Sequence, residues 1–123
     1  MTDWRISGIH HVQLAMPPGE EERAIAFYAG TLRMEQVPKP AHLAARGGCW
    51  FRSAGAELHL GVEGAFRPAM KAHPALQVEG LVALRSALEA AGADVVEDTR
   101  LEGHDRCYVR DPFGNRLELI EER

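Results

Sequence analysis

The chain has 123 residues, enough for one domain with a real core. Fourteen Lys and Arg against eighteen Asp and Glu leave a formal charge of −4, so there is no basic footprint for nucleic acid. No apolar run approaches the roughly 20 residues a membrane helix needs, and residues 1–6 lack the basic and apolar regions of a signal peptide, so the cytoplasm is the expected location.

In chain order, residues 9–16 alternate as a strand: Val12, Leu14 and Met16 share an apolar face, and His11, Gln13 and Ala15 the opposite one. By parity His10 lies on the aliphatic side, where a structural role is expected. Pro17, Pro18 and Gly19 end the strand. A helix is predicted over 20–29. Glu20, Glu21 and Glu22 form a solvated start at the positive end of its dipole, Ala24, Phe27 and Tyr28 are its packing stripe, and Gly30 is its C′ residue. A short extended piece, 34–37, leads into a Pro/Ala/Gly loop carrying His42. Residues 48–53 and 56–62 form a predicted hairpin, with Leu58, Leu60 and Val62 opposite Glu57, His59 and Gly61. The segment 63–72 is a linker.

The pattern then begins again. A strand over 73–78 places Leu76 and Val78 opposite His73, Ala75 and Gln77. A helix over 80–91 carries Leu81, Leu84, Leu88 and Ala91 as its stripe, with Gly92 as its stop. A strand at 94–97 and a loop at 98–105, containing His104, precede a final hairpin, 106–120, turned by Asp111-Pro112-Phe113-Gly114-Asn115. Cys49 and Cys107 have apolar neighbours and are expected to be buried free thiols.

The order strand, helix, three strands is thus stated twice, and internal repetition guides the architecture. His11 falls on His73, Cys49-Trp50-Phe51-Arg52 on Cys107-Tyr108-Val109-Arg110, and Glu57-Leu58-His59-Leu60 on Arg116-Leu117-Glu118-Leu119. The prediction is an α+β fold of two βαβββ modules, about 7–63 and 72–123, packed as a pair with their helices outside and a cleft of curved mixed sheets between them. Glu118 faces away from its aliphatic neighbours, and a buried carboxylate needs a partner. His11, His59 and His73 occupy the repeat-related positions of the same face. Together they offer three imidazoles and one carboxylate, a set suited to Zn, Ni, Co, Mn or Fe. Glu57 shares the face and could substitute for His59. Trp50, Arg52, Arg106, Tyr108 and Arg110 have the parity to line a small-molecule pocket, and the arginines to hold a carboxylate or phosphate. The alternative is that Arg52, Arg106 and Arg110 are ordinary exposed charges and Arg116 a salt-bridge partner.

The paired βαβββ plan, His11, His73 and the run Asp111-Pro112-Phe113-Gly114-Asn115-Arg116-Leu117-Glu118 resemble the vicinal oxygen chelate superfamily. That group includes glyoxalase I, extradiol dioxygenases, fosfomycin-resistance proteins, methylmalonyl-CoA epimerase and bleomycin-binding proteins. The resemblance implies metal ligands at His11, His73 and Glu118, with His59 at a fourth place that glyoxalase I usually fills with a carboxylate or glutamine. It implies Glu118 as the ligand that also moves a proton, a glyoxalase I-like lyase or isomerase reaction, and a homodimer. An extradiol-type Fe(II) dioxygenase and a non-catalytic drug-binding protein are the alternatives. No phosphate-binding glycine loop, nucleophile elbow or Cys-x-x-Cys is present.

Overall fold

The computed structural model describes residues 3–97 and 101–123. Each half of the chain builds one four-stranded sheet. In the first, β1 (Val12–Met16) runs parallel to β4 (Ala56–Val62), which pairs antiparallel with β3 (Cys49–Ser53) and through it with β2 (Glu35–Val37). The second repeats the plan with β5 (Ala75–Gln77) parallel to β8 (Arg116–Glu122), followed by β7 (His104–Arg110) and β6 (Val95–Glu97). The predicted βαβββ duplication is therefore present, and its register agrees residue by residue. Trp50 lies opposite His59 just as Tyr108 lies opposite Glu118.

Alternation sets the layers. Phe51, Leu58 and Leu60 in the first sheet, and Cys107, Val109, Leu117 and Leu119 in the second, are fully buried under their helices. Both thiols are free and buried, and burial, with Glu21 nearby, pushes that of Cys49 up to about 11. Helix α3 (Leu81–Ala90) buries Leu81 and Leu88. Its first amides are capped from afar, Gly80 and Leu81 donating to Glu121 at 2.8 and 3.0 Å.

Several local predictions are corrected. Strand β1 starts at Val12, and residues 3–11 form an irregular exposed arm outside the sheet. Helix α1 (Glu21–Ile25) continues as a π-helical segment, Ala26–Thr31, closed by Leu32 N donating to Phe27 O at 2.9 Å. The wider turn brings the adjacent rings Phe27 and Tyr28 into the core together. Helical backbone consequently passes through Gly30, and the left-handed residue that turns the chain is Arg33, with φ 59°. A short helix α2 (Ala41–Ala44) interrupts the predicted loop around His42, and His104 opens β7 rather than sitting in a loop. Residues 98–100 of the predicted 98–105 loop lie outside the described residues. Glu21 is no solvated charge: it accepts the Gly48 amide at 2.8 Å and so ties α1 to the start of β3.

Gly48 itself cannot be replaced. Its φ is 84°, and a Cβ there would stand 2.1 Å from the Leu60 carbonyl oxygen. Gly48→Ala is expected to cost about 2–4 kcal/mol, combining left-handed strain with separation of β3 from β4. Chemical denaturation checks this.

The two modules are joined through the last turn. Tyr28 Oη donates to Asp111 at 2.7 Å, and Asn115 Nδ2 donates to the Ala15 carbonyl at 2.8 Å. The Arg23 guanidinium donates to Pro112 O at 3.0 Å and lies 5.5 Å from the Phe113 ring. The Asp-Pro-Phe-Gly-Asn turn is thus an inter-module fastener as well as a hairpin turn. No helix among the described residues is long and apolar enough to cross a membrane.

Candidate functional site

In the second module, strand pairing puts Ala75 beside Glu118, and His73 stands two residues upstream on the same face. His73 Nε2 lies 2.9 Å from Glu118 Oε1, and His73 Nδ1 lies 2.8 Å from the Lys71 carbonyl oxygen. A carbonyl only accepts, so Nδ1 carries a proton. In the neutral ring Nε2 then presents a lone pair to the carboxylate oxygen, and such a contact needs a bridging proton or a cation shared by the two atoms. A carbonyl-anchored Nδ1–H with Nε2 aimed at a site is how metal-binding histidines are oriented.

Glu118 is only 7% exposed. Its Oε2 accepts a hydrogen bond from Arg106 at 3.3 Å. Burial works against ionisation, but the hydrogen bonds and charges of His73 and Arg106 outweigh it and hold the carboxyl below its ordinary range. Tyr108 lies beside this pair. The His73 ring meets it edge-on at 5.4 Å, and the guanidiniums of Arg106 and Arg116 lie 5.7 and 4.1 Å from its centroid.

The first module supplies a stack of rings. His59, 5% exposed, is sandwiched between Trp50 and His11, with both ring centroids 4.1 Å away and interplanar angles of 6° and 18°. Its Nε2 is 2.8 Å from Glu57 Oε2, and this hydrogen bond is the main reason the Glu57 carboxyl sits below its ordinary range. His11 Nδ1 contacts His10 Nδ1 at 3.0 Å. His10 is therefore an exposed neighbour of His11 and not a residue of the aliphatic side.

The predicted ligands are thus gathered as two pairs, His11 with His59 and His73 with Glu118. Among the described residues, no three His, Cys, Asp or Glu side chains are grouped to hold a metal ion within one chain. Of the predicted pocket residues, Trp50, Arg106 and Tyr108 touch these pairs, whereas Arg52 is exposed at the strand end opposite Glu57. Arg110 is turned away to the Gly114 carbonyl at 2.9 Å, where it braces the turn. Sequence reasoning left Arg116 out of the pocket. Its parity with Glu118 was the available signal, and among the described residues it rests on Tyr108 rather than on a carboxylate.

A family model described as a glyoxalase-like domain matches residues 14–120. A glyoxalase family protein from Bacillus anthracis is 46% identical, with 100% of both chains covered and a TM-score of 0.93. The fosfomycin resistance protein FosX from Listeria monocytogenes, in a variant solved with Mn(II) and a dihydroxypropylphosphonic acid, is 20% identical over 97% of this chain and 95% of that one, with a TM-score of 0.79. A glyoxalase/dioxygenase from Nostoc punctiforme is 17% identical over 95% and 92% of the two chains, with a TM-score of 0.77. These last two show a shared fold. Comparison with curated proteins gives no match. With its duplicated βαβββ sheets and a family match spanning both, the chain belongs to the glyoxalase-like domain family of the vicinal oxygen chelate superfamily.

Proposed function

We propose that the protein is a metal-dependent enzyme acting on a small molecule with adjacent oxygen donors, in the manner of glyoxalase I, and that each site is completed by a second copy of the chain. The observation that carries this is the His73–Glu118 contact, with Nδ1 already committed to Lys71. That donor set fits a divalent cation. His73 and Glu118 would hold it with His11, and His59 stands at the fourth place. Because His59 Nε2 is held by Glu57, Nδ1 is the atom it has to offer.

That no three ligand side chains among the described residues are grouped within one chain supports a shared site. So does the arm that leads into His11: Trp4, Ile6 and Ile9 are 86%, 93% and 83% exposed, an apolar surface suited to a partner molecule. When bound, the metal supplies Lewis acidity toward two vicinal oxygens. The side chains do the rest. Tyr108 and Trp50 wall the face and exclude water. Glu118 accepts and returns a substrate proton at Oε2, the oxygen turned toward Arg106.

Titration with Mn(II), Ni(II) and Zn(II) tests the reading. A thermal shift and saturable binding are expected for the wild type. Glu118→Gln is expected to weaken binding by more than about a hundredfold, beyond what losing an outer partner of a ligand costs. Absence of binding and of any shift with every ion overturns the proposal. The combination of two histidines and one carboxylate also suits Fe(II). Oxygen uptake with catechols would move the assignment to a dioxygenase, and tight binding of an aromatic compound without turnover to a binding protein.

A further inference from the structure

Among the described residues, strand alternation puts three guanidiniums, Arg106, Arg110 and Arg116, on the second sheet's open face with two carboxylates, Glu118 and Glu122, and Glu122 lies 3.9 Å from His104. Strand register places Arg110 directly opposite Arg116, and Arg106 sits two strand positions further along from Tyr108. Like charges facing each other across strands are destabilising. This concentration of guanidiniums occurs in a chain whose net charge is −4. Arg110 is accounted for by Gly114 O, and Arg106 by Glu118. Arg116 is half-buried, and among the described residues it contacts the Tyr108 ring and no carboxylate. A partly desolvated guanidinium whose partner is a π face keeps its hydrogen-bonding fork available.

We propose that Arg116, laid on Tyr108 with Arg106 beside it, is an oxyanion subsite, so that the substrate carries a carboxylate or phosphate-like head group next to the atoms that Glu118 serves. The site has the features such recognition requires. It has a planar fork able to make paired hydrogen bonds, an aromatic platform that fixes its plane, and a second guanidinium along the same strand face. The subsite rests on the reading of this face as the substrate cleft, but its ligand contacts come from the second module alone. Anion binding therefore does not require the metal.

The test uses the full-length protein, metal-free, with inorganic phosphate and acetate as separate probes followed by NMR. The expected result is a saturable shift of Arg116 and Tyr108 resonances with at least one probe, the two arms distinguishing a phosphate-like from a carboxylate head group. Arg116→Gln is expected to weaken that binding by about tenfold or more, and Arg116→Lys by less. Arg116→Gln should leave the melting temperature and Mn(II) affinity near those of the wild type. No shift on this face with either probe, or shifts unchanged in Arg116→Gln, overturns the subsite. Mn(II) binding without Arg116-dependent anion binding defeats this inference and spares the metal proposal. Anion binding without any metal binding does the reverse.

Discussion

Replacing Asp111 by Ala is expected to destabilise the protein by about 3–5 kcal/mol. The carboxylate is 5% exposed and accepts from four donors: Tyr28 Oη at 2.7 Å, the Phe113 and Asn115 amides at 2.9 and 2.8 Å, and Asn115 Nδ2 at 2.9 Å. Alanine leaves all four without their acceptor in a site too enclosed for easy hydration, and each buried donor left unmade costs about 1–3 kcal/mol before relaxation. Two effects follow on different scales. Locally the tight turn loses the acceptor that fixes Phe113 and Asn115. Globally the first module loses one of its polar contacts with the second, the one made by the fully buried Tyr28.

Graded variants separate these contributions. Tyr28→Phe removes one donor and keeps the carboxylate's other three partners, so about 1–2 kcal/mol is expected. Asp111→Asn should fall between, since its amide nitrogen would meet another donor, Asn115 Nδ2. Unfolding midpoints at fixed protein concentration measure the series. An Asp111→Ala protein within about 1 kcal/mol of the wild type would remove the turn from its place as the fastener of the modules. The same network raises the Tyr28 phenol far above its ordinary range, through burial first and the neighbouring Asp111 second. Tyr28 therefore stays protonated, as a donor should.

The repeat made much of the sheet geometry legible. Laying Trp50 on Tyr108 and His59 on Glu118 made them equivalent positions of the two copies, and strand pairing sets Trp50 opposite His59 as it sets Tyr108 opposite Glu118. Parity placed His59 and Glu118 on the face away from the helices because a strand's side-chain period is two, and a slip of one residue would have buried the wrong set. What could not be read depends on partners distant in sequence. Glu21 looks like any acid in a first helical turn until Gly48, 27 residues later, presents its amide. Glu121 looks like a tail charge until it caps α3 from 40 residues away. The π-helical turn defeats a 3.6-residue periodicity by definition, and Gly30 lost its expected role for that reason. At the site, residue types and face were readable. The pairing of His11 with His59 and of His73 with Glu118, and the rotation of Arg110 toward its own turn, were not, because side-chain direction is decided by tertiary neighbours.

Mixing two inactive variants is expected to restore metal binding, and this follows from how the ligands are divided. Of the proposed ligands, His11 and His59 belong to the first module, and His73 and Glu118 to the second. If the site joins one chain's first module to its partner's second, His11→Ala and Glu118→Gln each disable both sites of their own homodimer. In a hybrid dimer one site inherits both defects and the other inherits neither. After subunit exchange of equal amounts, half of the dimers are hybrids with one intact site each, so about a quarter of the wild-type binding capacity should return in a two-fold assembly. Activity on a hemithioacetal or related substrate should return in the same proportion, with the affinity of the restored site unchanged. The control is His73→Ala mixed with Glu118→Gln. Both defects then lie in the second module, and no hybrid can contain a complete site. Recovery in the first mixture and silence in the second would place the site across two chains. Silence in both, with exchange verified by mass, would show that each chain must supply His11 and Glu118 to the same ion. The paired arrangement of half-sites would then be a feature of the metal-free chain alone.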